Sequence, residues 1–169
     1  MDYTVEYTGR GAKRPFLCSN GVCGLIEFDG CNILCYSKND VGQEIVLGAW
    51  VEDDNKIRKT RYYNLYLDIY GKNKNKKSFD NRFNQQTGKD FSSSYKTICA
   101  LFDVLMGELA KFHKELSWYY NAIIAISATN SRRLNTYEWF VRRHNYIPNR
   151  TMFRGKRRIM FPIYTANND

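Results

Sequence analysis

The sequence predicts an α/β (α+β) fold, a single domain in which helices flank a mixed, mostly antiparallel sheet. Three observations carry this expectation. Tyr63, Leu65, Leu67 and Ile69 alternate with Asn64, Tyr66, Asp68 and Tyr70, the period of two of a half-buried strand. Tyr95, Ile98, Phe102, Leu105, Leu109, Phe112 and Leu116 are then spaced alternately three and four apart, which keeps them on one face of a long helix. After it comes "NAIIAIS", Asn121–Ser127, a short continuous apolar run of the kind that forms a strand covered on both faces. Strands, long helix, buried strand, helix and strand in that order make a layered domain.

The elements follow in chain order. "GLIEFDG" and "CNILCYS" are short runs bounded by Gly or polar residues, and "EIVLGAWVE" is β-branched and aromatic, so all three read as strands. "GKNKNKKS", residues 71–78, reads as an exposed basic loop. Ser92–Ser94 offers N-caps for the long helix. Cys99, Leu101 and Met106 widen its apolar face, and Gly107 marks a place of close packing. A second helix is expected from about Ser131 to His144, with Pro148 stopping anything longer. "RRIMFPIYT" closes the chain as a last strand, where Pro162 favours an edge or a bulge.

A chain of 169 residues with 43% hydrophobic and 15% aromatic content can bury a core, which excludes a disordered polypeptide. No apolar run approaches the roughly 20 residues needed to span a bilayer. "MDYTVEYTGR" has no secretory h-region, so a cytoplasmic location is expected. The net charge of +9 is unevenly spread: −5 over residues 1–55, +8 over 56–96, −1 over 97–130, +8 over 131–158 and −1 in the tail. Two basic blocks suggest an anionic ligand or partner: a phosphorylated cofactor, nucleic acid or an acidic protein. The competing reading is a solubilising surface.

Side chains with reactive chemistry are sparse. Cys18, Cys23, Cys31 and Cys35 are spaced C-x4-C-x7-C-x3-C, unlike the paired C-x2-4-C of structural zinc sites. Core thiols are the simpler expectation, and no metal is expected. His113 and His144 each fall on a helix without a Ser-His-Asp or HExxH context, and both are expected to be structural. Asp53 and Asp54 form a carboxylate pair that reads as an acidic turn after a strand. "QQTGKD", Gln85–Asp90, is a Gly-containing turn before the long helix, and the backbone N–H groups of such a turn can hold a pyrophosphate.

On these motifs the segment from Tyr63 to Tyr164 resembles the GNAT acetyltransferase superfamily. The turn matches the first two fixed positions of that family's pyrophosphate loop at Gln85 and Gly88, with Lys89 adding charge and Asp90 standing where a small residue is usual. "AIIAIS" is similar to the family's buried strand. The following helix keeps the family's seven-residue separation at Asn130 and Tyr137, with Arg133 in the family's Ala position. The chain is also loosely similar to small phage-encoded proteins of that fold. The resemblance implies an acetyl-CoA-dependent N-acyltransferase. Gln85, Gly88, Lys89 and Asn130 would bind the cofactor, and Tyr137 would be the general acid.

A second function class stays open beside it: a non-catalytic basic module contacting nucleic acid or an acidic protein. On a helical wheel Arg132, Thr136, Trp139 and Arg143 fall opposite Leu134, Tyr137 and Val141, and a Trp between two Arg is a contact-surface composition. Arg154, Lys156, Arg157 and Arg158 continue that charge.

Overall fold

The computed structural model describes residues 2–7, 12–38, 44–70, 88–116, 121–127 and 131–163. They form nine strands and two helices: β1 Tyr3–Val5, β2 Lys13–Cys18, β3 Cys23–Asp29, β4 Asn32–Lys38, β5 Glu44–Asn55, β6 Thr60–Tyr70, α1 Gly88–Leu116, β7 Asn121–Ser127, α2 Ser131–Arg143, β8 Asn149–Phe153 and β9 Lys156–Pro162. The strands make one sheet in the order β1-β2-β3-β4-β5-β6-β7-β9-β8. The fold class is thus α+β with a mostly antiparallel sheet. No helix among the described residues is long and apolar enough to cross a membrane.

The chain divides into two compact units, Met1–Gly48 with Tyr66–Leu105, and Ala49–Leu65 with Met106–Asp169. In the first, β2 to β4 are a meander whose alternation sorts buried from exposed side chains. Phe16 and Cys18 of β2, Ile26 of β3, and Ile33, Cys35 and Ser37 of β4 are buried. The expectation of core thiols holds for Cys18 and Cys35 only, since Cys31 precedes β4 and is half-buried and Cys23 is exposed. The buried face of β4 runs on to Ser37, whose hydroxyl donates to the Cys23 carbonyl at 2.6 Å. Two strands were not foreseen: β1 has 3 residues, and β2 contains Pro15, a residue that argues against a strand inside a sheet.

Gly24 sets how closely β3 and β4 approach. A Cβ built there would land on the Tyr36 carbonyl oxygen and lie 2.9 Å from the Phe16 ring. Backbone cannot yield as a side-chain tip can. Gly24→Ala is expected to cost about 2–3 kcal/mol, read as a lowered urea midpoint. A loss no larger than that of an exposed-site substitution would contradict this.

In the second unit, β6 and β7 are parallel, pairing Thr60–Asn64 with Asn121–Ala125. Parallel neighbours need a long crossover, and α1 lies in it. Helix α1 begins at Gly88, a turn earlier than the Ser caps suggest, so Gly88 and Lys89 belong to its first turn. Its described stripe is buried at Ile98, Phe102, Leu105 and Leu109, and Leu101, Val104 and Met106 are buried as well. The apolar face is thus wider than a coiled-coil seam, as a helix on a sheet requires.

Strand β7 is covered as expected, with Ala122, Ile124, Ala125 and Ile126 buried. Strand β9 is not the edge that Pro162 suggested. It sits between β7 and β8, and Pro162 is its last residue, opposite Ile123, where the ladder is ending. The true edge is β8, "NRTMF", whose exposed side chains left no apolar pattern to read.

Register places Tyr63, Ile124, Ile126, Ile159 and Phe161 on one face of this sheet. Both helices serve that face: His113 of α1 reaches Tyr63, and Tyr146, just beyond α2, packs on Phe161 at 4.9 Å. Tyr62 and Arg158 point the other way. There the Phe153 ring stacks on Tyr62 at 4.8 Å, and Arg158 bonds Glu52. Flat strands spaced about 4.8 Å apart would put β5 and β9 roughly 14 Å from each other. The direct contacts mean that the sheet curls and the β8–β9 hairpin folds back toward β5.

Candidate functional site

Helix α2 has the two faces its sequence implies. Leu134, Phe140 and Val141 are buried, and Tyr137 is half-buried beside them. Arg132 and Arg143 are exposed, Trp139 is 51% exposed, and the Arg143 guanidinium lies 5.4 Å over the Trp139 ring. Burial pushes the Tyr137 phenol above its ordinary pKa, although Arg133 opposes the shift. The hydroxyl therefore stays protonated at neutral pH. His144 packs on Phe140 at 4.8 Å between ring centres.

The helix starts four residues after β7 ends, at the carboxyl end of the parallel pair. Its first turn holds Arg132 and Arg133 and no acid. A helix N-terminus carrying two guanidinium groups is an anion-favouring end. Of the other residues expected to hold a cofactor, Gln85 and Asn130 lie outside the described residues, while Gly88 and Lys89 open α1.

The C-terminal basic block divides. Arg154, Lys156 and Arg157 are exposed, as a partner surface requires. Arg158 is not part of that surface. It is 3% exposed and holds Glu52 with both terminal nitrogens, one of them at 2.8 Å, while lying 5.3 Å over the Phe153 ring. The reason is strand alternation on the curled face, which turns Arg158 inward between its exposed neighbour Arg157 and the covered Ile159. Glu52 answers with a carboxyl held below its usual range, chiefly by the hydrogen bond from Arg158.

Asp53 and Asp54 are not a turn either. They lie inside β5, and each meets an Arg: Arg154 holds Asp53 at 2.9 Å and Arg61 holds Asp54 at 3.3 Å. Three successive acids are thus matched by three Arg from other elements. No group of three metal-ligating side chains occurs among the described residues. Burial pushes the Cys18 thiol up to about 11, so it is a packed thiol and not a thiolate at neutral pH.

His113 is buried at 4% exposure, deeper than a core-edge position. Its Nε2 lies 2.8 Å from the Tyr63 hydroxyl, itself fully buried. Burial, reinforced by nearby Arg61, lowers the His113 pKa to about 4. The ring is neutral at physiological pH, which suits a structural partner for the phenol. Sequence reasoning missed this pairing, because only the crossover brings residues 63 and 113 together.

It also missed the β5–β6 turn. Lys56, Ile57, Arg58 and Lys59 are all exposed, Ile57 at 95%. The Asn55 side chain accepts from the Arg58 N–H at 3.0 Å, and Lys59 has a positive φ of 53°, so the turn is a defined conformation. The readable signal was "NKIRKT", an aliphatic residue enclosed by cations.

No family model matches the chain, and comparison with curated proteins and with solved structures finds no match.

Proposed function

We propose that the chain is a GNAT-like, acyl-CoA-dependent N-acyltransferase. The observation supporting this most directly is the junction of β7 and α2: a parallel strand leads within four residues into a helix whose first turn is basic, with Tyr137 half-buried further along. Ligands of open α/β sheets sit outside the carboxyl ends of parallel strands, where helix N-termini favour phosphate. The residues present fit such a cofactor, since two Arg and no acid occupy that turn. Acetyl-CoA, when bound, supplies the activated thioester. Arg132 and Arg133 at this helix N-terminus would hold its phosphates. Asn130 follows by resemblance as a contact to its pantetheine arm. Tyr137 holds a proton at Oη, kept there by burial, for the departing sulfur.

Titration calorimetry and thermal shift with CoA and acetyl-CoA should both show binding. Tyr137→Phe should leave CoA affinity nearly unchanged while lowering turnover about 10²-fold or more, the usual range for a positioned acid. No response to millimolar CoA by either method would end the acyltransferase reading.

One observation favours the second class, a non-catalytic basic module. Trp139 stands half in solvent under the Arg143 guanidinium, where it contributes little to the core. An acidic protein or nucleic acid could be met there.

A further inference from the structure

We infer that the tips of the β5–β6 and β8–β9 hairpins together form a binding surface for the phosphate backbone of duplex nucleic acid. This surface is independent of the acyltransferase reading and distinct from the outer face of α2.

The second unit carries an excess of cations over acids. Every acid there whose side chain is described has a basic partner: Glu52 with Arg158, Asp53 with Arg154, Asp54 with Arg61, Glu108 with Lys111, and Glu138 with Arg142 and Arg150. The surplus is therefore positive and must lie where the remaining cations lie. At the two tips these are Lys56, Arg58, Lys59, Lys156 and Arg157, all exposed and in no ion pair among the described residues.

The β8–β9 loop is Arg154-Gly155, with φ of 51° and 73°, the two positive values of a type I′ turn. Arg154 bonds Asp53, and Phe153 stacks on Tyr62, which fixes this tip against β5 and β6. Lys56 is three residues beyond Asp53, so the two sets of cations begin within about 10 Å along the strand. Both turns are defined conformations, so little ordering is needed when phosphates bind.

Ile57 identifies the class of polyanion. It is 95% exposed and enclosed by Lys56, Arg58 and Lys59. A lone aliphatic side chain among cations matches the apolar wedges that enter a base step while neighbouring cations hold the strands. A bilayer would call for a broader apolar face than one isoleucine in a tight turn provides.

The test is fluorescence anisotropy with a short labelled DNA duplex over a series of salt concentrations, with phosphatidylserine vesicles as a parallel arm. Affinity should fall steeply with salt. The variant Lys56→Gln/Arg58→Gln/Lys59→Gln should reduce the slope of log K against log salt by about 3, near 0.9 per cation removed. Ile57→Ala should weaken duplex binding several-fold without altering that slope. Arg143→Gln on the outer face of α2 should bind duplex as the native chain does. An unchanged urea midpoint shows that the turn variants fold. Absence of duplex binding overturns the inference. So does binding that survives the turn variant, binding lost only in the α2 variant, or association with vesicles alone.

Discussion

Glu52→Gln should destabilise the second unit by about 3–5 kcal/mol, the cost of leaving one member of a buried ion pair without its partner. Arg158 is 3% exposed and cannot turn its guanidinium to water. Neutralising Glu52 strands that charge on the curled face of the sheet. The reciprocal change, Arg158→Met, should cost less. Glu52 keeps about a quarter of its side chain in solvent and still feels Arg154 and Lys156. The double variant should recover much of the loss of Glu52→Gln, because it removes the stranded charge. Urea midpoints for the four proteins at neutral pH give the coupling directly. A loss below about 1 kcal/mol for Glu52→Gln would place the pair among weak surface bridges. The carboxyl titrates below its unfolded value, so its contribution is complete at neutral pH and disappears as pH falls through the carboxylate range.

Acid should weaken the fold earlier than carboxylates alone would, through His113. In the folded chain its ring stays neutral down to about 4, whereas in the unfolded chain it protonates near its ordinary 6.5. Between those values the unfolded state takes up a proton that the folded state refuses. Stability is therefore complete above about pH 6.5 and declines as pH falls toward 4, by about 3 kcal/mol at most from this residue. Arg61 deepens the effect and Asp54 partly offsets it. Native protein and His113→Gln should thus differ most in slope between pH 6.5 and 5, where few carboxylates titrate. Parallel stability curves for the two over that interval would show that His113 does not carry the loss.

What could be read from the sequence were the elements with strong periodicity. Tyr63 and Leu65, the stripe from Ile98 to Leu109, and Ala122–Ile126 announce themselves because burial on one face or both writes a period into the chain. The two faces of α2 were legible for the same reason. Strand β8 was not, because an edge strand with exposed side chains has no apolar pattern, and β1 is too short to have one. Arg158 was misread because a run of cations looks uniform in sequence. Only β-alternation together with the curl of the sheet turns one of them inward to Glu52. Asp53 and Asp54 were misread for a related reason, since acids inside a strand are tolerated once Arg side chains from distant elements meet them.

The pairing of β6 with β7 also fixes an order of events in folding. Thr60 has no partner on that side until Asn121 arrives, and the whole of α1 lies between them. Closing so long a loop before any ladder bond rewards it is slow, so the β6–β7 ladder is expected to form late, after the local structure of α1. During synthesis the free edge of β6 waits for residues 121–127 to leave the ribosome. A chain stalled before that point presents an open strand edge, the kind of template on which neighbouring polypeptides pair and aggregate.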